Sequence, residues 1–336
     1  MLRTKEVRRV TRILDDIIEE YKRETPKAKR DWRTYEQGLT ERMRAAIREL
    51  EPLIEEAIGS LKTTKAEKRG RKPELTLKQK TVLLLLKHLF DRSNREMSTS
   101  LVAFSLLSGV DVSYKTVERL YSDEEVLLVL QNMHALLLKK RGVERADCSG
   151  NGTGYSLTVR KHYATEAQKL KDRVKSAKKS SKKKEKMGFI YSFTLMDLDT
   201  RVYIGYGTSF RSEKDAFLKA VEMAPATSVG SLRLDQYFSA QSYVKLLKER
   251  FGDVAVYLIP KKNATVRGPW EWKQMLLRFV KDTRGYLREY FRRNQSESGI
   301  SEDKRRFGWK IAQRREDRVD TAAFCTTLWH NLFWLK

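Results

Sequence analysis

The 336-residue sequence has few residues of the kinds that build disulfide frameworks or zinc sites. It contains only two cysteines, Cys148 and Cys325, and its four histidines share no spacing typical of metal ligands. A disulfide-stapled secreted domain and a cysteine-based zinc module are therefore excluded. The scarcity of cysteine fits a reducing compartment.

The sequence also lacks a long hydrophobic run. Its most apolar stretch, residues 81–86, ends at Lys87 and His88, far short of the roughly 20 residues that span a bilayer. The amino terminus is too charged for a secretory signal. We therefore expect a soluble cytoplasmic protein that is not exported.

Negative charge is scarce relative to positive charge. The chain has 69 Lys and Arg residues against 44 Asp and Glu residues, a formal net charge of +25. This excess goes beyond what solubility needs and predicts a polyanionic partner. The 40% hydrophobic content can bury a core in each of the two or three domains expected for this length.

Residues 1–61 carry two apolar stripes at alternating steps of three and four, which predicts two amphipathic helices. Pro52 should kink or break the second helix. The two stripes would either pack against each other or form a dimer contact. Their residues are Val7, Val10, Leu14, Ile17 and Tyr21, then Leu39, Met43, Ile47, Leu50, Ile54 and Ile58.

Residues 62–74 read as a basic linker, because they lack apolar periodicity and residues 62–73 hold six basic side chains and one acidic. The Arg-Gly-Arg-Lys-Pro stretch at 69–73 would also suit an A·T-rich minor groove.

Residues 75–140 are predicted to form a helix-turn-helix domain. Ser98 can cap a first helix and Ser113 a second, with a glycine-containing turn between them. An ordinary helical hairpin explains the same pattern. In the DNA-binding interpretation, Tyr114, Lys115 and Thr116 would face base edges, and Arg119 would bind a phosphate.

From residue 141 the pattern changes to α/β. A meander of strands precedes alternating helices and strands, which predicts a mixed sheet flanked by helices. The acidic residues at 197–200 should form a hairpin turn. Residues 169–186, with ten basic and two acidic side chains, should be a solvated phosphate-binding segment. The predicted strands are 143–148, 189–196, 202–206, 231–234 and 254–259, with helices at 213–222 and 239–250.

Three acidic residues suit metal-dependent phosphodiester chemistry. Asp147 is expected at the end of the first strand, Asp235 at the end of a later strand, and Glu297 in a polar helical stretch. Carboxylates from distant positions that converge can hold two divalent ions, which activate the attacking oxygen and stabilise the leaving one. Each acid alone could equally be an ordinary strand-end or surface residue.

A spaced pattern surrounds Glu297: Tyr290, two residues, Arg293, three residues, Glu297, six residues, Lys304. On one continuous helix these four side chains would share a face. With this pattern, residues 143–336 resemble the DDE-type insertion-sequence transposases that carry a Tyr-Arg-Glu-Lys signature. The supporting passages are Ala-Asp-Cys-Ser-Gly at 146–150, Leu-Asp-Gln-Tyr at 234–237 and Tyr-Leu-Ile-Pro-Lys-Lys-Asn at 257–263.

The resemblance implies an RNase H-like catalytic domain over residues 141–336. Asp147, Asp235 and Glu297 would hold two Mg²⁺ ions, for which Mn²⁺ would substitute, and Tyr290, Arg293 and Lys304 would grip DNA-end phosphates. Relatives often have Lys-Gly-Tyr after the second Asp, whereas this chain has Gln-Tyr-Phe at 236–238.

The interval between Asp235 and Glu297 is longer than one helix and one strand need, so residues 265–283 should form a small insertion. Trp270 and Trp272 within it would stack on a base displaced from the duplex end, or pack the insertion against the core.

Together these patterns predict an α/β, RNase H-like catalytic domain preceded by an all-α region with a helix-turn-helix. We expect a nucleoid-associated DNA transposase that cleaves and transfers strands of double-stranded DNA, as a homodimer on element ends and target. The alternatives are a catalytically silent, transposase-derived DNA-binding regulator and an RNase H-like structure-selective nuclease. A silent regulator would have no reason to keep the acids and the signature, and a nuclease would not need the N-terminal region.

Overall fold

The computed structural model describes residues 2–25, 31–61, 75–90, 102, 112–157, 189–225, 229–313 and 315–335. The predicted linker at 62–74, the Ser98-capped helix and the basic segment at 169–186 lie outside these residues. Among the described helices, none is both long and apolar enough to cross a membrane.

The N-terminal half is helical and the C-terminal half is α/β, as the sequence indicates. The helices are α1 (Thr4–Arg12), α2 (Leu14–Glu24), α3 (Trp32–Gly59), α4 (Leu77–Leu89), α5 (Tyr114–Leu120), α6 (Glu124–Lys140), α7 (Glu213–Met223), α8 (Gln241–Phe251), α9 (Trp270–Lys281), α10 (Thr283–Phe291), α11 (Asn294–Phe307) and α12 (Glu316–Phe333). The strands are β1 (Ala146–Leu157), β2 (Phe189–Asp197), β3 (Tyr203–Ser209), β4 (Val229–Arg233), β5 (Ala255–Tyr257) and β6 (Lys310–Ile311).

Local capping explains where several helices begin. The Asp31 side chain accepts a hydrogen bond from Arg33 N at 3.0 Å and starts α3, while Thr76 and Gln79 form a reciprocal capping box at the start of α4. Pro52 lies inside α3 without ending it, so a break at Pro52 is wrong, whereas a kink there stays a prediction. The surrounding helix and its buried face outweigh the hydrogen bond that proline cannot make.

The sheet has the strand order β3-β2-β1-β4-β5, and β6 pairs with the far end of β1. β1, β2 and β3 form an antiparallel meander, whereas β4 and β5 run parallel to β1. The predicted mixed sheet flanked by helices is confirmed. In the turn after β2, the buried Asp197 carboxylate accepts hydrogen bonds from Thr200, as expected of a turn-forming acid.

The two N-terminal stripes pack in different cores. Val7 and Leu14 belong to a cluster with the sheet residues of β1, β4 and β5, whereas Leu50 and Ile54 of α3 belong to a cluster with α4, α6 and α12. Mutual packing of the two stripes is therefore wrong. α3 packs against α4, α6 and the C-terminal helix α12, and the buried Trp329 of α12 donates from Nε1 to Leu85 O of α4 at 2.9 Å. The dimer contact stays a prediction.

Candidate active site

The candidate site lies on the sheet face covered by α10 and α11. Side chains alternate along a strand, so Asp147 and Ser149 of β1 share a face with Arg233 of β4, their neighbour in the parallel register. The Ser149 hydroxyl lies 2.8 Å from the Ser296 hydroxyl of α11. This contact brings the start of α11 against the middle of the sheet.

Asp147 is held by two arginines. Its Oδ1 accepts a hydrogen bond from Arg233 Nη1 at 2.8 Å, and Oδ2 pairs with Arg292. The Arg233 side chain is only 1% exposed, and it also pairs with the Glu289 carboxylate and donates from Nε to Glu289 O at 2.6 Å. A buried guanidinium needs such partners because desolvation of its charge is costly.

Asp235 and Glu297 come together around a single cation. Arg293 Nη2 lies 3.1 Å from Asp235 Oδ2 and 2.7 Å from Glu297 Oε1. The carboxylate side chains are 51% and 46% exposed, so both face an opening, while the arginine side chain is 14% exposed. Two carboxylates separated by 62 residues of sequence therefore converge on one positive group.

Asp147 does not join that pair. It lies level with Ser231 of β4, and its ion pairs are made with Arg233 and Arg292, not with Arg293. Within the described residues, no three His, Cys, Asp or Glu side chains form a group that could hold a metal ion.

The position of Asp147 differs from the prediction because β1 is longer than expected. The strand runs from residue 146 to residue 157, so Asp147 stands near its start and not at its end. The glycine-rich stretch that follows the predicted strand end at residue 148 is extended strand instead. At Gly152 a Cβ would lie 1.9 Å from Glu213 Oε1, so a larger residue would have to displace the Glu213 side chain.

Glu213 is a residue that sequence reasoning missed. It is the first residue of α7, directly after the Ser212 cap, and it follows β3. Burial and the charge of Asp235 raise its pKa above the ordinary value of a glutamate. A third carboxylate thus approaches the Asp235 side of the site. Its only sequence signal was its place at the start of the helix.

The signature does not lie on one helix. α10 ends at Phe291 and α11 begins at Asn294, so Tyr290 belongs to one helix and Glu297 to the next. Arg293 is the cap residue between them. Its guanidinium carbon lies 5.6 Å from the Tyr290 ring centroid, and burial raises the pKa of Tyr290 to about 12. The expectation of one continuous face is wrong for Tyr290, although it still joins the site through Arg293.

A search of curated proteins finds a relative that is 41% identical over 332 residues, a match that covers 98% of this chain and 96% of the relative. That relative is the probable transposase for insertion sequence element ISA1214 of Archaeoglobus fulgidus. The chain belongs to the insertion-sequence transposases. No family model matches the chain, and no solved structure matches it. A transposase acts on DNA, and the net charge of +25 of this transposase suits such a partner.

Lys304 of the transposase lies apart from Arg293. Its Nζ donates to Gly154 O at 3.1 Å and stands 4.4 Å from the ring centroid of Trp309. Seven residues of helix separate it from Glu297, about 10 Å along the axis. Burial lowers the pKa of its amine. In this structure Lys304 anchors α11 on β1.

A helix, α5, lies where the second helix of the helix-turn-helix is predicted; its role in a helix-turn-helix stays a prediction. The Ser113 hydroxyl accepts a hydrogen bond from Thr116 N at 3.3 Å, and Lys115 and Arg119 are exposed. Glu118 on the same helix pairs with Arg318 of α12. The side chains expected to contact DNA are therefore accessible, while α5 is fixed to the C-terminal helix.

The two tryptophans of the insertion have different environments. Trp270 is 66% exposed at the start of α9, whereas Trp272 is 3% exposed and donates from Nε1 to Thr265 O at 2.8 Å. Trp272 packs the insertion against the core, so the prediction that it stacks on a base is wrong. Its ring faces are already covered by the apolar cluster around the sheet. Trp270 is free to stack.

Proposed function

We propose that this transposase is of the DDE type, with an RNase H-like domain that cleaves and transfers DNA strands with divalent metal ions. The observation that carries the proposal is the convergence of Asp235, from a strand end, and Glu297, from a helix, on one cation. The strand order of an antiparallel meander followed by parallel strands supports the RNase H-like assignment.

The residues present fit Mg²⁺. The Arg293 guanidinium stands where two half-exposed carboxylates need a positive charge, and carboxylate oxygens are the ligands that Mg²⁺ prefers. Asp235 and Glu297 would hold the ion, with Mn²⁺ as a substitute. When bound, such ions activate the attacking oxygen and neutralise the leaving oxygen.

Asp147 would be the third carboxylate ligand, so that three acids together would hold two Mg²⁺ ions. Its Oδ2 is paired with Arg292, whose side chain is about one-third exposed, and this is the partner that it would exchange for a metal. Its other oxygen stays with the buried Arg233. Asp147 would therefore contribute less to the site than Asp235 and Glu297.

The basic signature residues would act on the DNA. Arg293 presents a planar fork that can bind two phosphate oxygens at once, and its place between the acids would set the strand beside them. Tyr290 supports that guanidinium with its ring. Lys304 would supply a point charge further along α11.

The N-terminal region would supply recognition. We propose that α5 is the recognition helix of a helix-turn-helix, with Lys115 and Thr116 on base edges and Arg119 on a phosphate. The exposure of Lys115 and Arg119 supports this role. Trp270 would stack on an unpaired base at the element end, and the protein would act as a dimer on double-stranded DNA.

The test is cleavage of a duplex that carries the terminal repeat of the element. The full chain should cut it with Mg²⁺ and not with EDTA. Asp235→Asn and Glu297→Gln should abolish cleavage and keep DNA binding, because an amide is a poor metal ligand while most affinity comes from basic residues elsewhere. Full cleavage by either mutant would remove that residue from the site. Binding by the wild type without any cleavage would favour the silent regulator.

A further inference from the structure

The N-terminal helix α2 lies over the entrance to the candidate site. Arg284 of α10 pairs with Glu20 at 2.7 Å and with Glu24 at 3.6 Å. The Tyr21 ring stacks on Phe291, with ring centroids 5.3 Å apart. Buried Leu14 anchors the start of the helix. Apolar and ionic contacts together hold α2 beside the Tyr290 to Glu297 segment.

Two clefts open between α2 and this segment. One has a volume of about 520 Å³ and reaches Asp235, and the other has a volume of about 950 Å³ and reaches Glu297. Both are lined by Lys22 of α2 and by Arg293. The site around the bridging arginine is thus approached from two sides, and Lys22 stands at both approaches.

The larger cleft is strongly basic. Four cationic side chains line it, Lys22, Arg288, Arg292 and Arg293, against one carboxylate, Glu297. Arg292 and Arg293 are occupied by acidic partners. Lys22 and Arg288 are exposed, and across the described ranges neither makes an ion pair. These two side chains are the cations available to a ligand.

We propose that Lys22 and Arg288 bind backbone phosphates of the DNA strand that lies in this cleft beside Glu297. This inference rests on the proposed function. It makes α2 part of the strand-binding site, although α2 precedes the catalytic half by more than a hundred residues. Two exposed cations without acidic partners among the described residues, in an open cleft, suit a phosphodiester backbone better than an uncharged ligand. The smaller cleft has mixed charge, since Asp15 and Asp235 oppose its cations, and it suits a polyanion less.

The experiment measures binding of the full chain to an element-end duplex by fluorescence anisotropy over a range of salt concentrations. Lys22→Ala and Arg288→Ala should each reduce the slope of log K against log salt by about 0.7 to 0.9, the loss of one phosphate contact. Lys22→Arg should retain the wild-type slope. Both side chains are exposed, so the melting temperatures should stay within about 2 °C of the wild type.

The controls remove the same charge outside the cleft. Arg23 is the next residue of α2, 81% exposed and near Glu19, and Lys281 is exposed at the end of α9. Arg23→Ala and Lys281→Ala should leave the slope unchanged. If the cleft mutants and the controls change the slope equally, only net charge matters and the inference is wrong.

The same measurements separate this inference from the proposed function. If the wild type cleaves the duplex with Mg²⁺ and the cleft mutants keep its slope and its cleavage rate, the inference alone fails. If the wild type binds but never cleaves, the proposed catalytic function fails, and the slope of the cleft mutants still decides whether a strand lies in the cleft.

Discussion

The substitution Asp147→Asn tests whether the Asp147 carboxylate stabilises the fold by pairing with the buried Arg233. Arg233 is buried, and Asp147 accepts from both of its terminal nitrogens, at 2.8 and 3.4 Å. Loss of the carboxylate charge leaves the guanidinium with Glu289 as its remaining acidic partner. Removal of one partner of a buried ion pair costs 3 to 5 kcal/mol.

Asp147 is 24% exposed and Glu289 stays in place, so we expect the lower end of that range, about 3 kcal/mol of unfolding free energy. For a chain of this size, the melting temperature should then fall by about 6 to 12 °C. Calorimetry or urea unfolding of the metal-free full chain measures the change.

The matched control is Asp235→Asn. Its side chain is 51% exposed, and exposed ion pairs contribute about 1 kcal/mol or less, so its melting temperature should change by no more than about 4 °C. If Asp147→Asn melts with the wild type, the buried Arg233 does not depend on Asp147. The ion-pair cluster would then have no structural role.

Three further predictions concern stability, recognition and rate. Burial lowers the pKa of His134 to about 4. The folded pKa therefore lies below the unfolded value of about 6.5, so the folded protein loses stability as the pH falls below 6.5. The loss of unfolding free energy should be about 2 kcal/mol at pH 5. His134→Gln should remove this contribution in urea unfolding at pH 5 and 7.5, while buried His88, whose pKa is lowered to about 3, keeps its own. An unchanged dependence would exclude His134 as a source. Lys115→Ala or Thr116→Ala in the full chain should lower the affinity for element-end duplex more than the affinity for scrambled duplex. An equal loss on both duplexes would count against base recognition by α5. Arg293→Ala and Lys304→Ala should slow cleavage by roughly a hundredfold in single-turnover assays. Lys304→Ala should also lower the melting temperature because its amine anchors α11 on β1, and a slow Arg293→Ala variant of full stability would support phosphate gripping.

The periodic patterns predicted most of the elements but not their partners. The stripe of α3 indicated a buried face, yet only the structure shows that α4, α6 and the C-terminal helix cover it. An amphipathic pattern specifies which side of a helix is buried and carries no information about what buries it. Packing between distant segments depends on the shapes of both surfaces.

The sequence indicated two of the acids that come together, but little of their geometry. Asp235 is predicted from its place at a strand end and Glu297 from the spaced pattern around it, and both contact Arg293. The length of β1 was missed because its alternate glycines resemble a turn in sequence. The sequence did not predict the arginine cluster around Asp147, because it does not show that Arg233 is buried. Only a buried arginine in a strand needs acidic partners.

The most direct test of the metal site is anomalous scattering from Mn²⁺ in crystals of the full chain with element-end DNA. We expect an anomalous peak adjacent to the carboxylates of Asp235 and Glu297, with Arg293 released from at least one of them. A well-ordered site without a peak, in which Arg293 keeps both ion pairs while the same crystals bind Mn²⁺ elsewhere on the protein, would contradict it.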